Sequence, residues 1–191
     1  VLTGIARGTG LVYRNAAFGT EIVDLAFDGQ FGGSVLKLNS ITGRANGGTI
    51  AGSGFVRFGL EQQVDLRADL SRARLANSDT LEFTLSGPLR LSGEGRKVTL
   101  SGDLTVDTAR VQLVQVETSE IPQLQVRRAD EVRLPEPEPS LRISDIALDV
   151  RVRADDRVLV EGMGLESTWR GDIRVRGTAA APQFIGTATL V

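Results

Sequence analysis

The sequence predicts an all-β chain on three observations: an apolar period of two, no helical stripe of useful length, and a glycine-marked repeat. The period comes first because it recurs from end to end. Val23, Leu25, Phe27, Gly29 and Phe31 alternate with Asp24, Ala26, Asp28 and Gln30. That is the spacing of a strand with one wet and one dry face. Ile50, Gly52, Gly54, Val56, Phe58 and Leu60 follow the same rule. So do Val64, Leu66, Ala68 and Leu70 against Asp65, Arg67 and Asp69. Leu81, Phe83 and Leu85 come next, then Leu89 with Leu91, then Val98, Leu100, Gly102, Leu104 and Val106. Ile146, Leu148, Val150 and Val152, and finally Ile173 with Val175, close the series. About a dozen strands or more are expected. Only residues 70–78, LSRARLANS, could make a helical turn.

Turn chemistry falls at Asn46-Gly47-Gly48, Gly93-Glu94-Gly95, Asp155-Asp156 and Ala181-Pro182, residue types that favour tight reversals. The repeat runs Gly87-x-Leu-x-Leu-x-Gly93, eight residues, then Gly102, and again Gly171-x-Ile-x-Val-x-Gly177, eight residues, then Gly186. A hairpin-sized unit used twice predicts an array that grows by adding strands. Its glycines fall in phase with the leucines, which marks a sheet bend or a close approach to the backbone. Residues 1–116 therefore read as one β-array and residues 141–191 as its continuation. Between them, residues 117–140 carry Pro135, Pro137 and Pro139 with intervening glutamates, a loop or insertion of extended, solvated chain. The chain begins and ends inside patterned sequence, so an interior piece of a longer protein is expected.

Composition excludes much chemistry. The chain has 191 residues, a net charge of −2, no cysteine and no histidine. It lacks the basic surplus of a nucleic-acid binder, a thiol nucleophile or thiolate metal site, and the commonest general base and metal ligand. Gly52-Ser53-Gly54 and Gly162-Met163-Gly164 lead into no helix that could hold a phosphate, so they read as turns or bends. The carboxylate pairs Asp65 with Asp69 and Asp155 with Asp156 read as solvated charge. Arg151, Arg153, Arg174 and Arg176 form outward stripes that could pair with aspartates across strands or touch lipid head groups. No enzyme, no cofactor and no metal site is expected.

The dry face admits three architectures. A sandwich or barrel would cover it with another sheet. An outer-membrane barrel would turn it to lipid, but requires aromatic girdles, and the chain has one Trp and one Tyr. An open rolled sheet would leave it as an unfilled aliphatic lining.

Residues 157–186, RVLVEGMGLESTWRGDIRVRGTAAAPQFIG, resemble the TamB family of the Gram-negative envelope. The matching positions are Val160, Gly162, Gly164, Leu165, Gly171, Asp172, Ile173, Val175, Gly177, Thr178, Pro182 and Gly186. GRANGGTIAGSGFV, LSGPLRLSG and IPQLQV are similar to it as well. Glu161 and Met163 stand where the family often has arginine. The resemblance implies an elongated, open rolled antiparallel or mixed β-sheet, a β-taco with an apolar concave interior. It implies a periplasmic protein, anchored in the inner membrane at full length, that conducts phospholipid acyl chains between the two membranes and supports outer-membrane protein assembly. TamA, the outer-membrane barrel, is the implied partner, with nascent outer-membrane proteins as further clients and no nucleic acid. The expected groove lining is Val64, Leu66, Leu81, Phe83, Leu85, Leu89, Leu91, Val98, Leu100, Leu104, Val106, Ile146, Leu148, Val150, Val152, Ile173 and Val175. The alternatives are a chaperone-like groove or sheet edge for nascent β-strands, and a structural β-sandwich of a surface protein.

Overall fold

The computed structural model describes residues 3–16, 18–59, 62–114 and 145–191. Leu60 and the Pro/Glu-rich residues 117–140 lie outside them. The described residues form ten strands: β1 Thr3–Asn15, β2 Thr20–Gly32, β3 Val35–Ala45, β4 Gly48–Arg57, β5 Gln63–Asn77, β6 Leu81–Glu94, β7 Lys97–Gln112, β8 Ala147–Gly162, β9 Leu165–Gly177 and β10 Pro182–Leu190. All ten join one sheet in chain order. Every neighbouring pair is antiparallel except β7 and β8, which run parallel. The sheet is open, because β1 and β10 are its two edges and do not meet.

Strand directions give the sheet two rims. The near rim carries the β2–β3, β4–β5, β6–β7 and β9–β10 turns; the far rim carries the β1–β2, β3–β4, β5–β6 and β8–β9 turns. Toward the far rim the sheet rolls. The β3–β4 hairpin ends early at Asn46-Gly47, and β2 and β5 run past its tip and meet. There the Asn77 amide donates to the Phe18 carbonyl at 2.9 Å, and the Thr20 hydroxyl donates to the Leu75 carbonyl at 2.5 Å. The buried core sits at this rolled end: Ala45, Leu70, Ala73, Leu85, Leu104, Val106, Ala109, Val150 and Ala154. Alanines dominate the far side of it, as a tight curl requires, since small side chains let strands approach.

Three local expectations are corrected. Residues 70–78 form no helical turn; they belong to β5, which has irregularities between Leu70 and Ala73 and between Arg74 and Ala76. Arg72 sits in the left-handed region there, at φ 49°, as bulge residues often do. Asp155-Asp156 is a bulge inside β8, between Ala154 and Val158, and not a turn. In β2 a further bulge at Asp24 (φ 50°) shifts the alternation, so Ile22 lies opposite Ala45 while Val23 lies opposite Arg44. The repeat holds as geometry. Leu89 pairs with Gly102 in the β6–β7 hairpin, and Ile173 pairs with Gly186 in β9–β10.

Candidate functional site

Residues paired across neighbouring strands share a face, so the register assigns every expected lining residue directly. Nearest the near rim, Phe31, Leu36, Val56, Val64, Gly93 and Val98 form a row. The next contains Gly29, Leu38, Gly54, Leu66, Leu91, Leu100 and Leu148. The third crosses all ten strands: Gly8, Phe27, Ile41, Gly52, Ala68, Leu89, Gly102, Val150, Val175 and Phe184. Leu104, Val152 and Ile173 follow, then Leu85 with Val106. At the far rim Phe83 lies in register with Ala109, Val158 and Trp169, and Leu81 with Val111 and Val160. Ile146 precedes β8 in phase with Leu148, and its carbonyl accepts from the Ala179 amide at 2.9 Å.

The seventeen expected positions thus share one face, although burial divides them. Leu85, Val98, Leu104, Val106 and Val150 are buried, and the rest are half-buried. Among the described residues no large side chain is fully buried, as follows when one sheet has no second layer over it. The same face holds apolar residues outside the expected set: Phe27, Phe31, Leu36, Leu38, Ile41, Val56, Val158 and Trp169. Alternation marks Phe27, Phe31 and Val56 in the sequence. Leu38 and Ile41 are three apart because β3 bulges between them, and no period of two could join them.

The opposite face is polar and laced with ion pairs. Arg90 grips Asp65 through Nε at 2.9 Å and Nη2 at 2.7 Å. Arg174 holds Asp149 in the same forked way, at 2.6 and 2.9 Å. Arg151 holds Asp172, its Nε at 2.8 Å, and Arg153 lies 3.7 Å from Asp103. Arginine donation is the first cause that holds the carboxyls of Asp65, Asp149 and Asp172 below the ordinary 3.8; Asp28 is held down by Arg7, then Asn39. The diagonal exchange answers a repulsion, since Arg151 and Arg174 stand directly opposite each other. Of the two roles open to these arginines, Arg151, Arg153 and Arg174 therefore have partners across strands. Arg176 lies opposite Gln183.

Two cavities open at the near rim and share Arg57. One, about 370 Å³, is lined by Val56, Phe58, Val64 and Val98 from the apolar side together with Arg57 and Arg96. The other, about 590 Å³, lies around Val35, Lys37, Phe55 and Arg57. The glycine motifs are structural: Gly52 and Gly54 lie inside β4, and Met163-Gly164 makes the β8–β9 reversal, at φ 53° and 82°.

Together these features define an open, rolled, single-sheet β-protein, apolar on one face across its strands and ion-paired on the other. Residues 39–191 match the family model described as the TamB C-terminal domain, and the chain belongs to the TamB family. That membership gives it a TamB-like role in the translocation and assembly module, a transport and assembly system of the Gram-negative periplasm that is associated with TamA. No curated protein and no solved structure matches the chain.

Proposed function

We propose that the apolar face is a groove for phospholipid acyl chains, and that the protein conducts lipid along it between the inner and outer membranes. The observation that carries the reading is the row running unbroken from Gly8 to Phe184, over which the described residues place no second layer. Ten strands at about 4.8 Å spacing make that row roughly 43 Å long. A two-chain phospholipid carries on the order of 30 methylenes at ~0.8 kcal/mol each, so wetting its tails costs roughly 20–25 kcal/mol. A continuous aliphatic surface offsets most of that cost at every step while the head group stays in water. Valine, leucine and glycine suit the task because a sliding chain needs a smooth wall and no shaped pocket.

Leu100 is the position to test, being half-buried in the second row. Leu100→Asp should leave the protein folded and secreted but stop lipid transfer between membranes. Val150→Arg should do so too, with added loss of stability, because Val150 is only 7% exposed and a buried charge is costly. Full complementation of a null strain by Leu100→Asp would remove the groove's main support.

One observation favours a second reading, a sheet edge for nascent outer-membrane strands. β10 is an edge, exposed along its whole length, and residues 178–191 carry no Asp, Glu, Lys or Arg. An uncharged edge of this kind accepts a further strand, whether the protein's own or a client's. A photo-crosslinker at Leu100 and another at Ile185 separate the two readings. Lipid adducts at Leu100 support the conduit, and client-protein adducts at Ile185 support strand addition.

A further inference from the structure

Three strand irregularities fall at one level of the polar face. β5 bulges at Arg72, and β8 bulges between Ala154 and Val158. In β7, Asp107 is the extra residue between the Thr84–Thr108 and Leu85–Val106 pairs. The Ser86 hydroxyl of β6 ties two of these together, accepting from the Arg72 amide at 2.8 Å and donating to the Asp107 carboxylate. Bulges re-aim side chains and gather beside functional sites. A cavity of about 360 Å³ opens here, next to the Asn46-Gly47 tip of the β3–β4 hairpin. Arg72, Arg74 and Arg157 line it with Thr84, Thr108 and Asn46, and no apolar side chain does.

The register explains the hollow. Arg74 stands opposite Thr84 and Thr84 opposite Thr108, while Thr108 and Arg157 immediately precede the two members of the Ala109–Val158 pair. Two long arginines therefore bracket two short threonines along one row, about 14 Å from end to end. Arg72 and Arg157 make no ion pair among the described residues, and Arg74 reaches Glu82 only through Nη1, at 3.3 Å. Its Nε is buried without a hydrogen-bond partner, the one such side-chain nitrogen or oxygen among the described residues. Arg57, Arg96 and Arg176 also lack an ion pair, but none of them has a buried, unpartnered nitrogen. A buried donor left unpaired is costly, and an acceptor entering the cavity that Arg74 lines relieves that cost.

We propose that this cavity binds a phosphate monoester carried on a small polar group. Guanidinium forks match phosphate oxygens bidentately. A monoester brings close to two negative charges and three acceptor oxygens at neutral pH, which suits three arginines; a diester brings one charge and two free oxygens. The volume exceeds what bare phosphate fills, since a water's share of liquid is about 30 Å³, and so leaves room for the group that carries it. An acyl chain finds no apolar wall here. The site lies on the face opposite the groove and stands or falls independently of it. A soluble ester and a lipid head group at a membrane surface present the same chemistry.

The test is equilibrium dialysis of the purified chain against radiolabelled glycerol 3-phosphate, with radiolabelled glycerol as the neutral companion, and flotation with phosphatidylcholine vesicles that contain phosphatidic acid. The wild-type chain should bind the phosphate and ignore glycerol. Arg157→Gln, at an exposed position, should weaken binding about tenfold, and Arg74→Gln combined with it should abolish binding. Arg151→Gln, on the same face but forked onto Asp172, should change nothing. Glycerol 3-phosphate bound without flotation supports the site and makes its ligand soluble. Flotation that Arg157→Gln removes supports it and places the phosphate on a membrane. A wild-type chain that binds neither probe, or an Arg157→Gln variant that binds as the wild type does, would overturn the site. Inorganic phosphate held as tightly as glycerol 3-phosphate would make it a bare-anion site and overturn the monoester assignment.

Discussion

A Cβ placed on Gly102 would stand 2.4 Å from the Pro88 carbonyl oxygen, and one on Gly186 would stand 2.1 Å from that of Asp172. The obstacles are backbone, which cannot swing aside, so the repeated glycine is a contact requirement between hairpin strands. Gly102→Ala should destabilise the fold by about 1–3 kcal/mol, read from the denaturant midpoint. Gly4→Ala, with open space around it, should be neutral or slightly stabilising. The ion pairs give a second expectation at this scale. The carboxyls of Asp65, Asp149 and Asp172 sit below their ordinary 3.8 in the folded chain. Their contribution is therefore present above 3.8 and is lost as pH falls through the lowered values. Melting temperature should be flat from about pH 7 to 5 and fall below about pH 4. Asp149→Asn combined with Asp172→Asn should make that fall shallower. The drop should be modest, since these pairs are solvent-exposed and screened.

At the scale of the element, β10 should exchange its amide hydrogens fastest and β5 to β8 slowest, because the edge is wholly exposed while the core lies mainly on the central strands. The same edge should drive self-association of the purified chain. Ile185→Lys, a charge of the kind that blunts natural edges, should suppress it without shifting the melting temperature; an unchanged sedimentation profile would refute this. Strands were the legible part of this molecule, because one wet face forces a period of two. Bulges were the illegible part. Two irregularities in β5 leave Leu70, Ala73 and Ala76 on one face at intervals of three, and that spacing imitates a helix. In β2 the bulge at Asp24 moves Ile22 onto the core side and Val23 off it, which no count of alternate residues reveals. Asp155-Asp156 has the composition of a turn and the position of a bulge for one reason: both need residues that tolerate unusual backbone angles.

On the scale of the whole molecule, the apolar face was readable wherever strands are regular, and the residues expected to line a groove, from Val64 to Val175, share that face by register. The curl was not readable. It depends on a short hairpin letting β2 meet β5 across its tip, a relation between segments more than fifty residues apart. Nor does composition announce that β7 and β8 run parallel, although that step returns the chain from the far rim to the near one.

Strand order that copies chain order turns the protein into a ruler. Excising one hairpin removes two antiparallel strands, leaves the flanking strands facing the same way, and shortens the span by about 10 Å. Inserting one lengthens it by as much, with no rewiring elsewhere. Reach across a compartment then becomes a matter of counting hairpins, and a lineage facing a wider gap needs only duplication.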